Sequence, residues 1–133
     1  MTTTAVINNK WYSWLLVVGL CLAIFIQSCF ASPDLGPTFP FKDKFLHLAA
    51  YGVLAALFYR ACQLTWPDRL APALLITISV IFATLYGVSD EFHQSFVNAR
   101  QADGADVLAD FVGSIVGAVG YLIIHHARRM DTN

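Results

Sequence analysis

The chain has 133 residues, of which 57% are hydrophobic and 13% charged, and its formal net charge at pH 7 is -1. Soluble domains carry about a quarter charged residues, so this composition predicts a single domain whose main solvent is a membrane. Since the sequence contains no run of Lys and Arg and no RNA-binding signature, nucleic-acid binding is excluded as a function.

Four apolar segments are long enough to cross a bilayer. A hydrocarbon core of about 30 Å requires roughly 20 residues of helix, because backbone polar groups in lipid must be satisfied within the segment. The segments that meet this requirement are 11–30, 45–64, 72–88 and 107–124. They predict an all-α fold, a polytopic membrane protein with a four-helix transmembrane bundle, as one domain over residues 1–133.

The first segment has a second interpretation, as a cleaved signal peptide. Lys10 precedes the apolar run, and residues 29–31 loosely resemble a small-x-small cleavage site. However, the run is long for a signal peptide, and Gln27 makes residues 26–29 a poor lipoprotein box. We therefore expect a transmembrane span, whereas cleavage would leave three spans. The three cysteines lie in apolar stretches without metal-type spacing and are predicted to be free, buried thiols: Cys21, Cys29 and Cys62.

Basic residues in the connecting segments predict the orientation of the bundle. Five of them would lie on one side of the membrane and three on the other: Lys10, Arg60, Arg69, Arg128 and Arg129 against Lys42, Lys44 and Arg100. By the positive-inside rule, this bias places both termini in the cytoplasm and segments 31–44 and 90–105 outside. These outer segments contain most of the polar residues that have a candidate function.

The second and third segments carry polar residues along one helix face each. Lys44, His47 and Tyr51 have offsets of 0, 3 and 7, which form one stripe on a helix that enters the membrane. The third segment ends in two adjacent carboxylates, which need partners or water at the end of a span. The two carboxylates are Asp90 and Glu91, and Gly87 and Gln94 lie near the same end of the helix.

The fourth segment repeats this spacing with Asp103, Asp106 and Asp110, and the same stripe continues to Gly113 and Gly117. The two glycines have the small-xxx-small spacing that allows close helix packing. The simplest interpretations of the first two aspartates are a helix N-cap at Asp106 and a loop residue at Asp103. Asp110 lies deeper and must be paired or protonated, since an isolated charge in the hydrocarbon costs several kcal/mol.

Arg100 is the candidate counter-charge, because its guanidinium can bind two carboxylates. The polar residues then form either a salt-bridge network that closes the outer end of the bundle, or a pocket for a head group or substrate. We predict no metal and no cofactor: the ligand types are present, but no H-x-x-x-H or H-E-x-x-H pair stands on one helix. His47 acting as a general base with Glu91 or Asp90 is the catalytic alternative.

Three blocks of residues match the pattern of a known family. They are Asp43-Lys44-Phe45-Leu46-His47-x3-Tyr51-Gly52, Asp90-Glu91-x2-Gln94-x-Phe96-x3-Arg100 and Asp106-x3-Asp110-x2-Gly113-x3-Gly117. In order and spacing they resemble the VanZ-like family of small bacterial membrane proteins over residues 43–121. Two positions depart from the family pattern. Residues 98–99 are Asn-Ala where members often have Pro-Gly, and Asp110 stands where many members have Asn.

The resemblance implies a protein of the bacterial cytoplasmic (inner) membrane that acts at the cell envelope. The namesake of the family is associated with resistance to the glycopeptide antibiotic teicoplanin. The characteristic polar residues of the family coincide with the polar residues described above. They are the candidate ligand-binding residues: Lys44, His47, Tyr51, Asp90, Glu91, Gln94, Arg100, Asp106 and Asp110.

Three functions are consistent with these features. The first is binding of a polar lipid head group or a lipid-linked cell-wall precursor, with Arg100 and Lys44 holding its anionic group, and an influence on teicoplanin susceptibility. The second is an acid–base or metal-assisted enzyme that acts on a lipid-linked substrate through His47 and Glu91 or Asp90. The third is a structural membrane subunit without a ligand. Membrane lipids are the expected partners. Transport would require oligomers, since four short spans barely enclose a pathway, and the oligomeric state is left open.

Overall fold

Four α-helices make up the fold, seen in a computed structural model that describes residues 3–30, 41–97 and 103–131. The helices are α1 (Thr3–Ser28), α2 (Lys42–Thr65), α3 (Pro72–Gln94) and α4 (Gly104–Asp131). These three described ranges contain no β-strand. Each helix includes a stretch long and apolar enough to cross a membrane, so the predicted all-α transmembrane bundle is confirmed.

The apolar stretches differ from the predicted segments at their ends, most clearly in α3. They cover Asn9–Ser28, Lys42–Thr65, Pro72–Gln94 and Gly104–Arg128. The sequence predicted an end of the third segment at residue 88, before its carboxylates. The helix instead continues to Gln94, because its terminal polar side chains turn into the bundle and find partners there. Pro72 lies in the first turn of α3, where its missing N–H leaves no helical hydrogen bond unmade.

The backbones of α2 and α4 touch through glycines. A Cβ atom on Gly52 would lie 2.9 Å from the carbonyl oxygen of Gly113. A Cβ on Gly113 would collide with the backbone of Leu48, and one on Gly117 with the backbone of Gly52. The small-xxx-small pair on α4 therefore packs as its spacing predicted. This close approach sets the polar residues at the start of α2 against those at the start of α4.

Apolar side chains cover the outside of the bundle, and small polar ones are found inside. Leu15 is 69% exposed and Phe92 68% exposed, a surface suited to lipid contact. Inside, buried hydroxyls such as that of Ser79 donate to the carbonyl one turn back in their own helix. All three cysteines are free. Cys62 is buried, Cys21 is half-buried and Cys29 is exposed, so the prediction of buried thiols is confirmed for Cys62 and wrong for Cys29.

Candidate functional site

Polar side chains gather at the end of the bundle where α1 and α3 end and α2 and α4 begin. We call this group the polar cluster. Its members are Ser28, Asp43, Lys44, His47, Tyr51, Asp90, Glu91, Gln94, Asp103, Asp106 and Asp110. Most of them are buried, which is unusual for charged groups unless they are paired. The structure thus brings eight of the nine predicted ligand-binding residues into one place, while Arg100 lies outside the described residues.

The innermost pair of the polar cluster joins α2 to α4. Nδ1 of His47 donates a hydrogen bond of 2.9 Å to Oδ1 of Asp110, whose side chain is fully buried. The ring of Tyr51 stacks on that of His47, with centroids 5.9 Å apart and an interplanar angle of 12°. Gly87 of α3 leaves room for the Asp110 carboxyl group, since a Cβ there would collide with it. Asp110 is therefore paired, and its partner is a histidine.

Glu91 lies on the other side of the His47 ring. Its Oε2 accepts a 2.9 Å hydrogen bond from the backbone N–H of Asp103. Its Oε1 is 3.9 Å from Nε2 of His47, which is too long for a hydrogen bond. This Oε1 has no hydrogen-bond partner in the described part of the chain, although the residue is only 6% exposed. The imidazole thus lies between two carboxylates, one bonded and one not.

Asp90 connects α3 to α1. Its Oδ1 accepts a hydrogen bond from the hydroxyl of Ser28, and its Oδ2 accepts one of 2.9 Å from Nε2 of Gln94. Sequence reasoning did not select Ser28 as a site residue. The available signal was its position next to Gln27, at the polar end of an otherwise apolar segment.

Lys44 pairs with two aspartates at the start of α4. Its Nζ lies 2.6 Å from Oδ2 of Asp103 and 3.0 Å from Oδ1 of Asp106. Oδ1 of Asp103 accepts the backbone N–H of Ala105 at 2.9 Å, which is N-cap geometry. The cap is therefore Asp103 and not Asp106, which lies buried in the first turn. The ammonium of Lys44 and the Ala105 N–H lower the pKa of Asp103, because both favour the ionised carboxylate.

A cavity of about 360 Å³ adjoins the polar cluster between α1, α2 and α3. Part of its wall is polar and is formed by Gln27, Asp43, His47, Tyr51 and Asp90. The rest is apolar and is formed by Leu20, Ala23, Ile24, Leu46 and Ala50. The hydroxyl of Tyr51 is buried and has no hydrogen-bond partner among the described residues. This arrangement can accept a molecule that has a polar end and an apolar body.

The polar cluster is acidic. Six carboxyl groups gather in it, those of Asp43, Asp90, Glu91, Asp103, Asp106 and Asp110. The ammonium of Lys44 is shared between two of them. A ligand that brings hydrogen-bond donors or a positive charge is favoured by such a site, whereas an anion needs a further cation to bind there.

Comparison with known proteins relates these residues to a family. The VanZ/LLP1 family profile matches residues 28–125, a range that includes every member of the polar cluster. The chain is also similar to an uncharacterized protein of the fission yeast Schizosaccharomyces pombe. The two are 33% identical over 114 residues, which cover 83% of this chain and 67% of the yeast protein. No solved structure matches the chain.

Proposed function

The chain belongs to the VanZ/LLP1 family of membrane proteins, and we propose that it binds a membrane lipid by its polar head group. The head group occupies the polar side of the cavity between α1, α2 and α3, and an acyl chain follows its apolar side. The observation that carries this proposal is that the cavity adjoins the polar cluster and is lined by both polar and apolar side chains.

One unpaired polar group supports a head-group ligand. A buried donor or acceptor without a partner costs about 1–3 kcal/mol, and the Tyr51 hydroxyl is in this state within the described structure. Tyr51 lines the cavity. A hydroxyl or amine group of a lipid head group would supply the missing partner, which an acyl chain alone would not.

The phosphate of a lipid needs a cation beside this acidic cluster. The ammonium of Lys44 already contacts Asp103 and Asp106, so it offers only part of its charge. We propose that Arg100, from the segment between α3 and α4, contacts the phosphate, as its bidentate guanidinium favours. Exchange of Arg100 for Lys should then weaken lipid retention, since a point charge cannot form the same fork.

The setting that we propose is the cytoplasmic membrane of a bacterium, with both termini in the cytoplasm and the polar cluster facing the cell envelope. Binding of a lipid-linked wall precursor there would be the route to an altered teicoplanin susceptibility. The fungal relative favours a phospholipid instead, because fungal membranes contain phospholipids but no peptidoglycan precursors. A reporter fused to the C-terminal end tests this orientation. If both termini are in the cytoplasm, the reporter should give the signal of a cytoplasmic location.

Native mass spectrometry of the gently extracted protein tests the proposal. We expect one phospholipid or one precursor molecule per chain, and its mass separates these two ligands. A wild-type protein that repeatedly appears without any lipid, while remaining folded, would contradict the proposal.

A second candidate function is acid–base catalysis on a lipid-linked substrate. One observation favours it: His47 is oriented by Asp110, lines the cavity, and has Glu91 on its other side. Glu91→Gln keeps the shape of the side chain but removes its ability to take a proton. Catalysis would then be abolished in a variant that still retains its lipid, whereas a pure binding protein would lose only part of its affinity.

A further inference from the structure

Three members of the polar cluster have side chains that can reach a common metal ion. One ligand atom each from Asp43, His47 and Asp106 lies within 4.8 Å of the other two. Two atoms that bind the same ion at about 2.0–2.2 Å are separated by up to about 4.4 Å. A small adjustment of side-chain torsions therefore brings these residues into coordination distance. His47 and Asp106 are buried, and Asp43 is half-buried at the edge of the cavity.

The hydrogen bond to Asp110 leaves the other nitrogen of His47 free to bind a cation. In the neutral imidazole that donates from Nδ1 to this carboxylate, Nε2 presents its lone pair. A cation that binds there displaces the second proton of an imidazolium ring, because a metal-binding histidine is neutral. A carboxylate that orients a histidine in this way is a regular feature of metal-binding histidines, whose ring it fixes and whose basicity it raises.

Glu91 supplies an observation independent of the three ligands. It is only 6% exposed, and its Oε1 has no hydrogen-bond partner in the described structure. This oxygen faces Nε2 of His47 at 3.9 Å. When neither atom carries a proton, one cation can bind both, since two bonds of about 2.1 Å span up to about 4.2 Å. A cation between them would satisfy both atoms.

We propose that Asp43, His47 and Asp106, with Glu91 as a fourth ligand, bind one divalent transition-metal ion. Lys44 lies nearby, but its ammonium is shared between Asp103 and Asp106, and the carboxylates of Asp43, Glu91 and Asp110 keep the position negative. One imidazole with several carboxylates suits Mn²⁺ or Zn²⁺, whereas Ca²⁺ and Mg²⁺ prefer oxygen ligands alone. The proposal goes beyond lipid binding and does not depend on it.

The sequence predicted no metal because no two candidate ligands form a known motif on one helix. The ligands instead come from three helices: Asp43 and His47 from α2, Glu91 from α3 and Asp106 from α4. Their proximity follows from the glycine contacts between α2 and α4, which no local spacing reveals.

Calorimetric titration of the full-length, chelator-treated protein in lipid-free detergent tests the proposal, with Mn²⁺ and Zn²⁺ as probes and Mg²⁺ and Ca²⁺ as comparisons. We expect one ion per chain, and a Kd raised at least about tenfold in both Asp43→Asn and Asp106→Asn. The matched control is Asp103→Asn, because Asp103 also contacts Lys44 but is not a ligand. The control should lose much less affinity than either ligand variant, since it removes no ligand atom.

A spectroscopic measurement on the wild type keeps the test independent of the folding of any variant. Pulsed electron paramagnetic resonance of the Mn²⁺ complex should show coupling to one imidazole ¹⁴N nucleus. No saturable binding, no ¹⁴N coupling, or an equal loss of affinity in Asp103→Asn and Asp106→Asn would each overturn the proposal. Retained lipid without ion binding would refute only the metal site, and ion binding without lipid would refute only the proposed function.

Discussion

His47 on α2 and Asp110 on α4 are joined by a hydrogen bond of 2.9 Å, and the aspartate is completely buried. Removing the carboxylate of Asp110 leaves the buried Nδ1–H of His47 without an acceptor, which costs about 1–3 kcal/mol. We expect Asp110→Ala to lower the free energy of unfolding in detergent by this amount, and the melting temperature with it. Asp110→Asn still offers an oxygen to Nδ1 and should lose much less. Equal melting temperatures for the wild type and Asp110→Ala would contradict the assigned pairing.

Gly87 provides the space that the carboxyl group of Asp110 occupies. A Cβ at position 87 would collide with that carboxyl group, which cannot turn away without breaking its bond to His47. Gly87→Ala should therefore destabilise the protein by about 1–3 kcal/mol, the usual cost of overpacking. Gly19→Ala is the matched control, because a Cβ there meets nothing within 4 Å. The control should be neutral or stabilising by up to about 1 kcal/mol, and the same loss in both variants would argue against steric conflict at Gly87.

The link between α1 and the polar cluster depends on Ser28. Its hydroxyl donates to Asp90, and a hydrogen bond to a charged group contributes about 1.5–3 kcal/mol. Ser28→Ala should reduce stability by this amount. Ser13→Ala is the comparison, since Ser13 is equally buried on α1 but its hydroxyl bonds only the carbonyl of Asn9 in the same helix. If the two variants have the same melting temperature, the hydrogen bond to Asp90 does not contribute to stability.

The ion pair of Lys44 with Asp103 predicts a dependence of stability on pH. The pKa of Asp103 is lowered in the folded protein, so its contribution is present above the unfolded value of about 3.9. The contribution disappears as the pH falls below about 4 and the carboxylate is protonated. We expect the difference in melting temperature between the wild type and Asp103→Asn to shrink over that range. A difference that stays constant from neutral to acidic pH would exclude this coupling.

The sequence was sufficient for the helices and for most of the polar cluster. Length and apolar content determine a transmembrane helix, and a period of 3.6 residues places Lys44, His47 and Tyr51 on one face. These properties are local, so they can be read without knowledge of the fold. The same holds for the glycine pair on α4, whose spacing indicates close packing before its partner helix is known.

The pairings between helices could not be derived in the same way. That Asp110 meets His47 depends on the distance and rotation of α2 and α4, which the contacts of Gly52 and Gly113 set. Ser28 belongs to a segment without helical periodicity in its polar residues. The N-cap was assigned to Asp106 because the start of α4 was placed three residues too late, and Asp103 takes that position in the structure.

The measurement that tests the central claim most directly is native mass spectrometry of two variants in which an alanine of α2 is replaced by tryptophan. Ala50 lines the cavity beside the polar cluster, whereas the neighbouring Ala49 is exposed and does not. Ala50→Trp should fill the cavity and remove the lipid that co-purifies with the wild type. Ala49→Trp should keep it, with both variants folded by their melting curves. Lipid retained equally by both variants would contradict a head-group site in this cavity.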